Sequence, residues 1–443
     1  MHKNPSLFNL VSKFYYQGGF MSESKPTCFR WFIVFLCLLL NLVNYLDRSV
    51  ISYAIKPIKH SLNLNNTQFG LTVSVFALGT LSINLIAGCF SDYIRVKRLW
   101  LVAVFVWSIS MILLGMAHVL AIFLILRYIL GLGEGVNFPL MNRSVSRWLP
   151  PNEQATALGI ALIGVPFANF IGAPVLANLV TDIGWQGAFI TLGILGLITG
   201  LLFAWLYKDK PQQSPFVNTQ EQQHIQSAQQ SSHHASKFDL ASIKACLKNP
   251  ALMANNIAVF AFSYILFFYI SWLPGYLQSD YHMPLLHIGW IMMIPWGFAS
   301  ICIVLGGWIS DWLFDRTQNE RLAHVHFFWS ALLISAISFI PLLIWHNEIL
   351  AIICLTLAIG FLMLTNSLFY AICNDVTFKY GGTASGIVIT FFSFSGLISP
   401  LITGGLTDLT GNFNGALLAL IIVTLAAVLS LFLYGKPRQY KID

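Results

Sequence analysis

Charge is what this sequence has least of. Only 9% of its 443 residues are charged against 57% hydrophobic, and its mean hydropathy is +0.72. Soluble globular domains carry about 25% charged residues, so that class is excluded. The cysteines are seven, an odd number, with no CxxC pair and mostly within apolar runs, which excludes a disulfide framework and a thiolate metal site. The histidines show no ligand spacing, so neither metal nor cofactor is expected. No nucleophile lies beside a base, so no enzyme is expected. Residues 1–30 lack an apolar core followed by a small-residue cleavage site, so no removable signal peptide is expected, and Met21 offers a second start. The net charge of +7 does not point to nucleic acid, because the basic residues flank apolar runs.

What is present in quantity is apolar length. Runs long enough to cross a bilayer fall at about 31–55, 67–90, 98–117, 119–142, 155–180 and 186–207, then at 250–278, 287–310, 322–345, 348–374, 382–406 and 413–434. The expected fold class is an all-α membrane protein with twelve transmembrane helices in two pseudo-symmetric six-helix bundles. Its predicted parts are a tail at 1–30, a bundle at 31–207, a linker at 208–248, a bundle at 249–435 and a tail at 436–443. The linker is polar and rich in Gln, Ser and His, which predicts a mobile segment ending in an amphipathic surface helix over Phe238–Leu247. Of the 24 Lys and Arg, 20 lie in the tails, the linker and the even-numbered loops, which predicts that both termini and the linker are cytoplasmic.

The two bundles repeat one another. Gly88-Cys89-Phe90-Ser91-Asp92 after span 2 recurs as Gly307-Trp308-Ile309-Ser310-Asp311 after span 8. Thr156, Ala157, Gly159, Ile160, Pro174, Thr181 and Asp182 recur as Thr383, Ala384, Gly386, Ile387, Pro400, Thr407 and Asp408. Repeats of this parallel kind place a substrate site at their interface near mid-membrane.

Against that apolar background a few charges stand out. Span 1 carries Asn44-Tyr45-Leu46-Asp47-Arg48, and a charged residue at mid-bilayer costs about 2.5 kcal/mol or more and usually marks function. Arg48 shares a helix face with Asn41, Tyr45 and Ser52. Span 4 carries Arg127 and Glu134, two turns and about 10 Å apart on one face. The second bundle has no acidic or basic residue deep in a span, so it is expected to read the neutral part of a substrate. Tyr264 and Ser271 share a face of span 7, and Ser393 lies on span 11.

With these residues the chain resembles a Major Facilitator Superfamily transporter. The superfamily's loop signature is matched by Gly88, Asp92, Arg95, Lys97 and Arg98, although Tyr93 stands where an arginine is usual. A narrower resemblance, to the anion:cation symporter family of organic-anion carriers, rests on several motifs. These are Asn44 to Arg48, Arg127 with Gly131-Leu132-Gly133-Glu134-Gly135 and Pro139, Gly184-Trp185, and Trp272-Leu273-Pro274-Gly275-Tyr276-Leu277.

The resemblance implies that spans 1, 4, 7 and 10 line a central cavity. It implies that Arg48 contacts substrate, that Asp47 and Glu134 couple protons, and that Ser367 and Tyr370 match the family's serine, two residues, aromatic. Asp92, Arg95 and Asp311 are then gating residues rather than ligands. Two departures, Thr80 on span 2 and Val165-Pro166 on span 5, predict a substrate less hydroxylated than a hexonate.

Charge arithmetic supports the same roles independently. Arg48, Arg127, Asp47 and Glu134 sum to zero when both acids are ionised, and a proton on either leaves net positive charge for an anion to neutralise. Arginine keeps its proton whereas a carboxylate can exchange one, so the arginines are expected to hold the anion and the acids the proton. The expectation is a monomeric, proton-coupled importer of a small organic anion in an inner membrane. The competing readings are a static brace formed by Arg127, Glu134 and Asp47, a carrier of amphipathic or zwitterionic compounds such as a siderophore, amino acid or drug, and a non-transporting sensor on the same fold.

Overall fold

The computed structural model describes residues 27–90, 95–229, 240–377 and 380–441. In hydrocarbon every backbone amide and carbonyl must find its partner within the protein, so long apolar runs close into helices. Ten helical stretches among the described residues are long and apolar enough to span a membrane. One of them, Pro151–Leu206, has 56 residues, about 84 Å at 1.5 Å per residue and far more than one bilayer core. It is two spans joined at Gly184, whose φ of 74° and ψ of 169° suit only glycine.

Dividing it there, and adding the 25-residue helix Asn66–Phe90, gives twelve helices. They are α1 (Phe29–Tyr53), α2 (Asn66–Phe90), α3 (Val96–Leu114), α4 (Leu120–Trp148), α5 (151–183) and α6 (185–206), followed by α7 (Pro250–Ser271), α8 (Leu285–Thr317), α9 (Arg321–Ile344), α10 (Glu348–Val376), α11 (Gly381–Thr410) and α12 (Asn414–Tyr434). Local chemistry sets several ends. The Asn249 side chain accepts from the amides of Ala251 and Leu252 with Pro250 at the first helical position, and Asn347 accepts from Leu350.

Within the first half α1 packs on α5 and α2 on α4, and within the second α7 packs on α11 and α8 on α10. The halves meet along two seams, α2 against α11 and α5 against α8. The α2/α11 seam is closest at the end away from the termini. A Cβ on Gly70 would lie 2.4 Å from the Pro400 carbonyl oxygen, and one on Gly404 2.3 Å from that of Asn66. There the Asp408 carboxylate, at the end of α11, accepts from the amides of Asn66 (3.0 Å) and Thr67 (2.7 Å) and from the Thr67 hydroxyl (2.6 Å). It caps a helix of the opposite half. Beside it the Lys59 ammonium donates to the Asn66 side chain, and Lys56 donates to the Gln278 carbonyl. At the terminus end Gly159 of α5 and Gly382 and Gly386 of α11 face open space.

Within the segment predicted to be a mobile linker, Pro211–Gln213 forms a short turn of helix and Thr219–Gln229 a helix, and Leu240–Lys248 is helical where the amphipathic helix is expected. Glu221 on the first of these helices is fully buried. Its carboxylate accepts from the amides of Phe29 (3.1 Å) and Arg30 (3.0 Å), from the Thr27 hydroxyl and from the Arg30 guanidinium. It thereby caps α1, while Arg30 also pairs with Glu153 of α5 at 2.7 Å. Helix N-termini carry unpaired amides and a partial positive charge, which explains why a carboxylate settles there. The surface helix begins at Leu240, and Phe238 lies outside the described residues.

Candidate functional site

The charges singled out by the sequence converge between α1, α2 and α4. Arg48 Nε donates to Glu134 Oε2 at 2.8 Å, so the acid two turns beyond Arg127 pairs with the arginine of α1. Arg127 takes a different place. Its Nε donates to the Thr72 carbonyl at 3.3 Å, and its buried Nη1 has no partner among the described residues. The two guanidiniums share the Phe76 ring, with Cζ at 5.4 Å for Arg48 and 5.2 Å for Arg127, and Arg48 also lies 5.0 Å from the Tyr45 ring. Aromatic faces are negative, so Phe76 holds two like charges near one another at reduced cost.

Asp47, about 100° round the helix from Arg48, makes no hydrogen bond to this pair. It is fully buried and neither carboxylate oxygen has a hydrogen-bond partner among the described residues. Around it α1, α4 and α5 share a polar seam. Asn137 Nδ2 donates to the side-chain oxygens of Asn41 (3.0 Å) and Asn44 (3.2 Å), Asn41 donates to the Ala161 carbonyl, and Ser49 donates to Asn169 at 2.6 Å.

A cavity opens on the arginine side. The first half contributes Tyr45, Arg48, Val73, Phe76 and Arg127, and the second contributes Leu266, Phe267, Ile270, Ser271 and Phe392. Tyr45, Arg48 and Arg127 are therefore brought together at one wall. Tyr264, Ser367, Tyr370 and Ser393 are not part of it. Tyr264 is buried under Phe260, and its carbonyl accepts from Ser399. Ser393 is buried on α11, where its neighbour Phe392 takes the cavity face. On α10, Ser367 is exposed towards Gly307 and the Tyr370 ring rests on Phe369. Of the residues expected to gate, Arg95 and Asp311 are exposed, and Asp92 lies outside the described residues.

Sequence reasoning missed Val73, Phe76, Leu266, Phe267, Ile270 and Phe392. Each is an apolar residue in an apolar helix, and nothing in the run of letters separates a cavity wall from a helix contact. Polar pairs remote from the cavity were also missed, among them His324 with Asp375 at 2.5 Å, joining α9 to α10.

Comparison with known proteins completes the placement. The Major Facilitator Superfamily profile matches residues 37–396. A hexuronate transporter of Bacillus subtilis is 28% identical over 411 residues, covering 91% of this chain and 94% of that one. A probable sulfoacetate transporter of Cupriavidus necator is 31% identical over 385 residues, covering 87% and 89%. A probable galactarate/D-glucarate transporter of Escherichia coli is 28% identical, covering 95% and 97%. Among solved structures, a bacterial homologue of the human lysosomal transporter Spinster, in an inward-facing and unoccupied conformation, has the same fold with a TM-score of 0.76 at 17% identity, covering 95% and 99%. Twelve helices in two repeated bundles, a charged cavity between them and these relatives together place the chain: it belongs to the Major Facilitator Superfamily of membrane transporters, with the organic-anion transporters of the anion:cation symporter type.

Proposed function

We propose that this protein is a proton-coupled symporter that imports a small organic anion by alternating access, as a monomer in an inner membrane with both termini cytoplasmic. The observation that carries the reading is the unequal treatment of the two arginines. Arg48 is neutralised by Glu134, whereas Arg127 lines the same cavity with a buried N–H unpaired by protein. An unpaired buried cation costs several kcal/mol, which an anion in the cavity offsets.

The coupling follows from counting charge. With Asp47 and Glu134 both ionised the four groups sum to zero, and the halves can rearrange without an anion. A proton on either acid leaves a net charge of +1, which one carboxylate or sulfonate neutralises. Asp47 suits the task because a partnerless buried carboxylate is relieved by a proton. Glu134 suits it because losing its charge releases Arg48 towards the cavity. Arg95 and Asp311 are exposed, which leaves them available for gating contacts, and Asp92 is given the same role by its place in the loop signature. The hexuronate, glucarate and sulfoacetate transporters among the relatives support an anionic cargo.

The test is acidification of proteoliposomes, followed with a trapped pH dye while sugar acids, dicarboxylates, aromatic acids, sulfonates and amino acids are added outside. One acid that drives protons inward, with the response lost in Arg127→Ala and Arg48→Ala, is the expected result. Uptake of an anion without proton movement would refute the coupling, and a response only to zwitterions would refute the anion.

A further inference from the structure

The second half's share of the cavity wall carries more information than the charges do. Leu266, Phe267, Ile270 and Phe392 offer hydrocarbon, and Ser271 is the one residue of that half on the wall with a side-chain hydroxyl. Three other hydroxyls on α7 and α11 are engaged by backbone carbonyls, and Tyr264 and Ser393 lie off the lining. Ser263 donates to the Val259 carbonyl (2.8 Å), Ser395 to that of Phe260 (2.8 Å) and Ser399 to that of Tyr264 (2.9 Å). Phe267 and Phe392 stand against one another with ring centroids 5.8 Å apart at 60°. With Tyr45 and Phe76 opposite, four of the ten lining residues are aromatic, so the space between the halves is bounded by rings on both sides.

We infer that the cavity selects anions whose body is a flat hydrocarbon, an aromatic carboxylate or sulfonate, over polyhydroxylated sugar acids, with Phe267 and Phe392 as specificity-determining residues. The inference rests on the anion-transport reading and deepens it. The charged group sits at Arg127 and Arg48, and the ring extends towards Phe267 and Phe392, whose edge and face complement an aromatic quadrupole. A sugar acid in the same pose buries several hydroxyls against hydrocarbon, with Ser271 on that half and the Tyr45 hydroxyl on the other to receive them. An apolar pocket rejects a single added hydroxyl by about 100-fold at most, so several unreceived hydroxyls make a large difference. Gly396 sets the position of one of the rings. A Cβ there would fall 2.5 Å from the Phe267 ring carbons, so the bare backbone of α11 is what lets the ring lie back and leaves the slot open.

The decisive experiment is competitive uptake into proteoliposomes of wild-type protein with benzoate, phenylacetate, benzenesulfonate, sulfoacetate, glucuronate and glucarate as probes. The expected kcat/KM for benzoate or benzenesulfonate exceeds that for glucuronate by about 100-fold or more. Phe392→Asn and Phe267→Ser, checked for folding by monodisperse elution and retained proton-driven uptake of at least one probe, narrow that ratio at least about tenfold, each mainly by losing the aromatic substrate. Gly396→Ala lowers uptake of the bulkier phenylacetate more than that of benzoate.

If glucuronate or glucarate is carried as well as or better than the aromatic acids while Arg127→Ala still abolishes uptake, the inference is overturned and anion transport stands. An aromatic preference unmoved by both phenylalanine variants refutes the role of those two rings. Transport of none of the probes by folded protein removes the anion reading and this inference with it.

Discussion

The two walls of one cavity are built from opposite materials. The first half supplies Arg48 and Arg127, with Glu134 paired behind Arg48, and the second supplies Leu266, Phe267, Ile270 and Phe392 with a single serine. The difference shows that charge balance and shape are separable. Because Arg48 and Glu134 lie in the same bundle, they can pair or part with no movement of the other. The apolar wall makes no electrostatic demand and can slide past whatever the first half holds.

At the α2/α11 seam the assignment is reversed. There the second half brings the carboxylate, Asp408, and the first brings the amides of Asn66 and Thr67 and the Thr67 hydroxyl, with the Lys59 ammonium beside them.

Four substitutions bear on this contrast, from the strongest effect to the weakest. Arg127→Ala takes from the charged wall its one guanidinium without a carboxylate partner, and anion uptake is expected to fall by about 100-fold or more, since truncating one partner of a buried charge interaction costs about 2–5 kcal/mol. Uptake within a few-fold of wild type would place the anion elsewhere. Glu134→Gln frees Arg48 permanently. Anion binding, read by isothermal titration, is expected to persist while anion-driven acidification disappears, and intact acidification would leave Asp47 as the coupling acid.

Asp408→Asn weakens a charge-assisted cap on α2 worth about 1–2 kcal/mol, so spin-label distances between the outer ends of α2 and α11 should show the separated population rising about tenfold. An unchanged distribution would mean that the packing at Gly70 and Gly404 holds the seam alone. Ser271→Ala removes the hydroxyl from the apolar wall, and uptake of an aromatic acid is expected to change by no more than about fivefold, because one neutral hydrogen bond contributes about 1 kcal/mol. A larger loss would make the second half a polar reader after all.

How far the sequence reveals this arrangement depends on contrast. Arg48 and Arg127 are conspicuous because a charge in an apolar run has no cheap explanation, and the twelve spans are conspicuous because length and hydropathy alone separate them. Phe267 and Phe392 have no such contrast. Whether a phenylalanine faces a cavity, a neighbour or lipid depends on the rotation of its helix, which packing decides and the run of residues does not encode. Ser393 illustrates the same point, since it shares α11 with Phe392 yet is turned inward. Glu221 fails in the other direction: in a polar segment one carboxylate among many polar residues looks solvated, and only the three-dimensional position of the amides of α1 makes it a buried cap.

The cap made by Asp408 also gives the molecule a reporter of its own conformation. It holds two backbone amides besides the Thr67 hydroxyl, so the amides of Asn66 and Thr67 are protected only while the two bundles are in contact. When the bundles part at that end, the first turn of α2 loses its acceptor and frays into water. Hydrogen exchange at two adjacent amides would therefore register a rearrangement of all twelve helices, without any label being introduced.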